Sequence, residues 1–409
     1  MSGYPPHERG SEREAAMGHR RERGGLRIVR LANFVTPVSG GLRTALRHLG
    51  AGYLAAGHEP VLIVPGPGYR DERTEQGRVI TLPGPVVPGS GGYRVLVDRR
   101  AVARQLTALR PDRLEVSDRT TLRWTGAWAR RRRVPAVMVS HESADGVLRM
   151  WGLPESVARG AADRLNSRTA HSFSRVVCTT AWAAAEFDRI GARNVVHAPL
   201  GVDLDACHPA AAGERTRAQY AWPEQVLLAM CVRLSVEKRP GRALDALAAL
   251  RARGTHAVLV IAGDGPLRGQ LEQRARREEL PVRFLGHVAQ KDTLYGLMAG
   301  ADVVLAPGPV ETFGLAALEA LACGTPVVVS ESSALPAVVG SAGRAARDDG
   351  AAFADAVGEL LAVPEARRRA AARARAERFG WPAAVAAFLA AHDAEHDAVP
   401  VEVEREKAI

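Results

Sequence analysis

The stretch that decides the fold is Asp302-Val303-Val304-Leu305-Ala306, then Pro307-Gly308-Pro309-Val310, then Glu311-Thr312-Phe313-Gly314-Leu315-Ala316-Ala317-Leu318-Glu319-Ala320-Leu321-Ala322. A short apolar run rich in β-branched residues reads as a buried strand, and the Pro-Gly-Pro turn ends it. The residues after it are helix formers, stopped by Gly324 and Pro326. Thr312 reads as the helix N-cap and 314–322 as the helix. Thr312 and Glu319 are separated by about two turns at ~3.6 residues per turn. Glu319 therefore lies on the face of the helix start, one layer deeper, with Glu311 just outside that start. Free amides at a helix start suit an anion. Two carboxylates flanking an anion site suit the hydroxyls of a sugar and a ribose attached on either side of it. Read alone, Glu311 serves equally as a solvated loop acid and Glu319 as a surface helix acid.

The same strand–loop–helix unit recurs along the chain. Upstream, 26–31, 61–64, 114–116, 136–140 and 176–180 read as strands. The segment 42–56 reads as a helix with Ala45, Leu46, Leu49 and Tyr53 on one face and Gly57 as its stop. After Leu200 the pattern restarts with strands at 226–232, 257–262, 282–285, 302–306 and 327–330. Strands alternating with helices predict parallel sheets covered on both faces. Two such series, joined near 201–209, predict an α/β protein of two doubly wound, Rossmann-like domains facing a cleft. The expected division is a tail over 1–25, a first domain over 26–205 and a second over 206–379. A last helix over 380–392 returns to the first domain, and 393–409 is an acidic tail.

Composition narrows the class. The 409 residues are 46% hydrophobic and 24% charged, which is globular. No stretch approaches the ~20 apolar residues that span a bilayer, and the charged N-terminus lacks a signal-peptide core. Cys178, Cys207, Cys231 and Cys323 have no metal-ligand spacing and read as reduced, buried thiols. The formal net charge is +10, and residues 26–205 alone carry 26 basic and 16 acidic groups. That excess fits nucleic acid, an acidic membrane surface or an anionic substrate. A near-absence of Lys, with Lys238, Lys291 and Lys407 the only three, matches a codon bias toward Arg.

Other loops sit where strands end. Arg233 and Lys238 follow the strand 226–232, where they read equally as cations that neutralise a diphosphate across a cleft and as an exposed polar βα loop. Ser39-Gly40-Gly41 precedes the first helix and lets backbone approach a ligand; it is not the G-x-G-x-x-G of a dinucleotide site. Ala262-Gly263-Asp264-Gly265-Pro266 follows another strand and reads equally as a tight turn. Ser140-His141-Glu142 ends the strand 136–140, so His141 reads equally as a cleft-facing functional residue and as a structural or surface histidine. Asp203-Leu204-Asp205 mimics a metal motif but sits in the connection between domains and reads as turn chemistry.

Together these residues resemble the GT-B glycosyltransferases, in particular the large retaining family 4. The resemblance runs from Leu26 to about His392, and its most specific element is Glu311 with Glu319. Arg233 and Lys238, the 262–266 turn, Phe284-Leu285-Gly286-His287-Val288, Pro199-Leu200-Gly201-Val202-Asp203 and Gly40-Gly41 stand around it. The segments 30–34 and 41–45 are similar to actinobacterial, GDP-mannose-dependent mannosyltransferases that extend phosphatidylinositol mannosides at the inner face of the plasma membrane. The resemblance implies that Glu311 holds hydroxyls of the donor sugar and Glu319 the ribose. Arg233 and Lys238 bind the diphosphate, helped by Thr312 and the amides of Phe313, Gly314 and Leu315. Gly263 belongs to the donor pocket, and Val288 meets the base through backbone. Gly40 and Gly41 approach the diphosphate and sugar from the opposite domain, and His141 touches the transferred sugar. It implies no cofactor and no essential bound metal. Its partners are a nucleotide sugar, a lipid-linked acceptor and an anionic membrane surface, with the chain cytoplasmic and peripheral.

For that membrane surface the sequence offers two basic faces. Arg43 and Arg47 lie on the first helix. Trp124 and Trp128, spaced i, i+4 beside Arg130, Arg131, Arg132 and Arg133, form the second; the other reading has both tryptophans on the sheet and the arginines at a helix C-terminus. The rival classes are a glycosyltransferase using a UDP-sugar or a non-lipid acceptor, a peripheral membrane protein without catalysis, and a basic nucleic-acid-binding protein, for which no aromatic-basic reading helix is present.

Overall fold

The computed structural model describes residues 25–35, 40–88, 92–141, 143–150, 152–213 and 216–393. Ser39 and Glu142 lie outside them, as do both tails apart from Gly25 and Asp393. The first half is an eight-stranded sheet: β1 (Arg27–Leu31), β2 (Glu59–Gly66), β3 (Arg70–Thr74), β4 (Gly77–Pro83), β5 (Arg113–Val116), β6 (Ala136–Ser140), β7 (Arg175–Cys178) and β8 (Val195–His197). Its order is β3-β4-β2-β1-β5-β6-β7-β8, parallel except for β3 against β4. Its helices are α1 (Gly41–Ala55), α2 (Arg99–Leu109), α3 (Trp124–Arg131), α4 (Ala144–Met150), α5 (Glu155–Ser172) and α6 (Ala181–Asp188).

The second half is an all-parallel, six-stranded sheet with the order β11-β10-β9-β12-β13-β14. Its strands are β9 (Val226–Cys231), β10 (Ala257–Ala262), β11 (Val282–Gly286), β12 (Val303–Ala306), β13 (Val327–Ser330) and β14 (Arg344–Ala346). Its helices are α7 (Gly241–Ala252), α8 (Arg268–Arg277), α9 (Lys291–Gly300), α10 (Leu315–Ala322), α11 (Leu335–Val339), α12 (Gly350–Leu361) and α13 (Glu365–Ala376). The central strands are buried on both faces, every residue of β6, β12 and β13 included. That burial explains why they read as continuous apolar runs.

Each sheet reverses its strand order once, between β1 and β5 and between β9 and β12. In open α/β sheets the crevice at such a switch point, outside the carboxyl ends of the strands, is where ligands bind. The loops singled out from sequence follow β1, β6, β9, β10, β11 and β12, and those after β1, β9 and β12 lie at the switch points.

The chain passes between the halves twice, side by side. The Val202 amide donates to the Phe379 carbonyl at 2.7 Å as the chain leaves the first half and returns. Helix α14 (Trp381–Ala391) then packs on α1. Its end is tied into the first sheet: Arg113 Nε donates to the His392 carbonyl at 2.6 Å, and Arg175 Nη1 to the carbonyls of Ala390 and Ala391 at 3.0 and 2.9 Å. Beneath that end, Glu115 accepts from Arg30 Nε at 2.8 Å and from Tyr53 at 2.8 Å, and lies 3.1 Å from His392 Nε2.

Two sequence expectations are corrected here. Helix α10 starts at Leu315 rather than Gly314, and Thr312 is not its N-cap. Gly314 caps it with φ +72°, a left-handed conformation that glycine adopts without strain. Trp128 is 3% exposed and sits with half-buried Trp124 in the core behind the first sheet. A tryptophan sealed in the core does not reach lipid, so the aromatic part of the α3 membrane face is withdrawn.

Candidate functional site

Arg233 and Lys238 leave β9 and enter a tight 3₁₀ turn, Val236–Lys238, closed by Arg239 at φ +47°. Glu311 arrives from β12 on the neighbouring strand of the switch point. There Lys238 Nζ and Glu311 Oε1 form a direct ion pair, both side chains less than a third exposed. Burial works against the Lys238 ammonium. The Glu311 charge and hydrogen bond outweigh it and hold the pKa above its ordinary value. The loop that carries Glu311 is pinned on both sides. Arg242 Nη1 donates to the Pro307 carbonyl at 2.9 Å and to Asp348 at 2.7 Å, and the Ala334 amide donates to the Glu311 carbonyl at 2.9 Å.

Glu319 lies one turn into α10 and is half-buried. Burial pushes its carboxyl up to about 7; Lys291 opposes the shift and Asp203 adds to it. Phe313 is buried and meets Phe379 of the crossover edge-on, with centroids 6.1 Å apart. Val288 is half-buried against the same core, just beyond β11. Gly263 has a local reason to be glycine: a Cβ there would stand 1.9 Å from the Val232 carbonyl oxygen. Its amide donates to the Gly286 carbonyl at 2.8 Å, which ties the ends of β10 and β11 together.

The first half faces this loop from across the cleft. A Cβ on Gly41 would lie 3.7 Å from Leu315 Cδ1, so the glycine turn meets the start of α10; Gly40 has open space around it. His141 Nε2 lies 3.1 Å from Ser117 Oγ. Burial, with Arg30 and Arg119 nearby, lowers its pKa to about 4 against the pull of Glu115, so the ring is neutral at physiological pH. The His141 carbonyl accepts from Thr312 Oγ1, and Thr180 Oγ1 donates to the Thr312 carbonyl at 3.0 Å. The Arg233 guanidinium stacks over Tyr93 of the first half, 5.1 Å from its centroid.

The structure thus brings Arg233, Lys238, Glu311, Thr312, Leu315, Gly41 and His141 to one cleft. Sequence reasoning missed Thr180 and Tyr93. Thr180 had the same signal as His141, a polar residue at the carboxyl end of a buried strand; Tyr93 had none. Of the proposed membrane faces, Arg43 lies in the first turn of α1, two residues after Gly41. Arg43 is exposed, Arg47 pairs with Glu75 at 3.1 Å, and Arg130, Arg131, Arg132 and Arg133 are exposed at the end of α3. Arg130 donates to the His171 carbonyl, and Arg132 stacks on Trp128 at 4.5 Å. Asp203 Oδ1 accepts from the Ala206 amide at 3.0 Å, closing a turn.

With this geometry in hand, similarity to known proteins is informative. The glycosyl transferase 4-like domain matches residues 40–201, and the family described as glycosyl transferases group 1 matches residues 213–377. The chain is 51% identical over 369 residues to a GDP-mannose-dependent alpha-(1-6)-phosphatidylinositol dimannoside mannosyltransferase of Mycobacterium tuberculosis. That alignment covers 89% of this chain and 95% of the relative. A D-inositol 3-phosphate glycosyltransferase of Streptomyces scabiei is 32% identical, covering 64% of this chain and 60% of the relative. Among solved structures, sucrose-phosphate synthase from Thermosynechococcus elongatus superposes with a TM-score of 0.70 at 20% identity, over 88% of this chain and 96% of that one. Anabaena HepE in complex with UDP and glucose does so at 0.68 and 18%, over 89% and 98%. The chain belongs to the group 1 glycosyltransferases and has their GT-B fold of two parallel-sheet, Rossmann-like halves.

Proposed function

We propose that this glycosyltransferase moves α-mannose from GDP-mannose to a phosphatidylinositol mannoside, with the dimannoside as acceptor and a 1,6 linkage as product. The observation that carries the reading is 51% identity, along nearly the whole of both chains, to an enzyme named for that reaction. In this reading residues 26–205 form the acceptor-side domain and residues 206–379 the donor-side domain.

The chemistry follows from where charge grows. As the anomeric carbon separates from the diphosphate, negative charge develops on the leaving phosphate. Preorganised cations and amides there lower the barrier by several kcal/mol. Arg233, Lys238 and the Phe313, Gly314 and Leu315 amides supply them. Glu311 keeps Lys238 charged and in place, and accepts hydrogen bonds from the sugar hydroxyls. Glu319 accepts from the ribose, the backbone at Val288 meets the base beside the Gly263 turn, and Gly40 and Gly41 close over the diphosphate. His141, neutral, donates to or accepts from the sugar without adding charge beside a developing cation. An α-product from an α-linked donor keeps configuration. For this retaining transfer we favour same-face attack, in which the leaving phosphate also serves as the base. The acceptor oxygen then bonds to the anomeric carbon on the face the diphosphate leaves, and the leaving phosphate takes the acceptor's proton. The charge of residues 26–205 and the exposed Arg43 and Arg130–Arg133 support docking of this half on an anionic membrane surface, at the cytoplasmic face. Among the described residues no helix is long and apolar enough to cross a membrane.

The test is transfer of labelled mannose from GDP-mannose to phosphatidylinositol dimannoside by the purified protein. Transfer supports the reading. No transfer, with robust transfer from a UDP-sugar, overturns the donor and leaves the family standing.

A further inference from the structure

We propose that Thr180 is a positioning residue for glycosyl transfer, and that Thr180 and His141 clasp Thr312 so that closure of the two halves sets the shape of the donor loop. The inference rests on the glycosyl-transfer reading of the same cleft. Thr312 is held at two atoms by the ends of two adjacent strands of the opposite half. Its hydroxyl donates to the carbonyl that follows β6, and its carbonyl accepts from the hydroxyl that follows β7. Fixing one residue at both side chain and main chain stops it from turning as well as from moving away.

The proton of Thr180 is committed to this task. A hydroxyl offers one donor and two lone pairs. Thr180 Oγ1 accepts from the Ala183 amide at 3.1 Å as the N-cap of α6, which leaves its proton for the Thr312 carbonyl. Thr180 and Thr312 are each 9% exposed. Parting them within the closed arrangement would leave buried polar groups unpaired, so loss of the clasp favours the open arrangement. Apolar contacts flank it: a Cβ on Gly146 would lie 3.3 Å from Val310 Cγ1, and one on Gly41 would lie 3.7 Å from Leu315. The clasped residue stands between Glu311, which holds Lys238, and the amides of 313–315. The diphosphate site is therefore shaped at the moment the acceptor half arrives.

If so, the clasp acts on the closed, reacting state more than on donor capture, because most of the proposed donor contacts, Arg233, Lys238, Glu311, Glu319 and the 313–315 amides, belong to the second half. Thr180→Ala and Thr312→Val should each lower kcat about tenfold, ~1.4 kcal/mol of barrier, with less than about a twofold change in KM for GDP-mannose. Thr180→Ser keeps both hydrogen bonds and should restore kcat. Thr312→Val leaves the α6 cap intact and so separates the clasp from a simple loss of helix stability. A readout without donor comes from spin labels on Ala108→Cys and Arg251→Cys, since the four native cysteines are buried. Wild type and Thr180→Ser should give one interdomain distance, and Thr180→Ala and Thr312→Val a second, longer population. Unchanged distances in both variants overturn the clasp whatever the kinetics do. A wild-type protein inert toward GDP-mannose, with the distances shifted as expected, overturns only the donor assignment.

Discussion

Lys238 and Glu311 stand 73 positions apart in sequence and meet as an ion pair at the switch point between β9 and β12. The pair gives the cleft a cation whose charge is secured before any diphosphate arrives. Removing one partner strands the other, so the two single substitutions should not be equivalent to a double one.

The first prediction concerns that pair. Lys238→Ala should lower kcat by about 10²–10³, the usual cost of losing one preorganised group that stabilises developing negative charge. Lys238→Arg should fail to restore it, because a planar fork does not reproduce a compact ammonium against one Glu311 oxygen. Glu311→Gln should raise KM and lower kcat together, since it loosens Lys238 and weakens the contact to the sugar. Steady-state kinetics of the three variants check this; wild-type kcat in Lys238→Ala would remove Lys238 from the reaction.

Glu319 supports a second prediction, on pH. Its folded-state pKa, about 7, lies above the ordinary 4.5. The folded protein therefore binds more protons than the unfolded one between those values. The stability this contributes is present below pH 4.5 and is lost as pH rises through 7. Glu319→Gln should therefore gain Tm relative to wild type on going from pH 5 to pH 8. If the carboxylate accepts from the ribose, affinity for GDP should rise with pH over the same window in wild type. In Glu319→Gln the Glu319 component of that rise should vanish. Calorimetric melting and GDP titrations at pH 5, 6.5 and 8 read both effects.

The alternation of strands and helices was legible because parallel strands buried on both faces are apolar along nearly their whole length: β9 and β12 are apolar throughout, and β6 and β13 depart only at their closing Ser140 and Ser330. The β3–β4 hairpin was not, because Arg70-Asp71-Glu72-Arg73-Thr74 is exposed at every position and carries no apolar alternation. The cleft residues Arg233, Lys238, Glu311 and His141 were legible from their places at strand ends. What they touch was not. Thr312 looked like a cap because a hydroxyl just before a helix usually is one; its partner instead comes from 171 positions away. Trp124 and Trp128 looked amphipathic because i, i+4 spacing marks one face of a helix without saying whether that face meets lipid or the sheet.

The last prediction concerns the anchor of the crossover helix. Arg30, Glu115 and His392 are each 1% exposed, and Glu115 bonds to both of the others and to Tyr53. Burial opposes the Glu115 charge, yet Arg30 and His392 hold its pKa well below the usual carboxylate range. Its contribution to stability is thus present above pH 4.5 and lost as pH falls below it. Glu115→Gln leaves the Arg30 guanidinium buried without a counter-charge and should cost about 3–5 kcal/mol. His392→Ala removes one hydrogen bond from the same carboxylate and should cost about 1–3 kcal/mol. Because α14 is tied to the first sheet at this point, both variants should also expose the α1–α14 interface to proteolysis before the sheets unfold. Urea melts at pH 7 and limited proteolysis test this. Equal stability of Glu115→Gln and wild type at pH 7 would show that the buried pair does not hold the crossover in place.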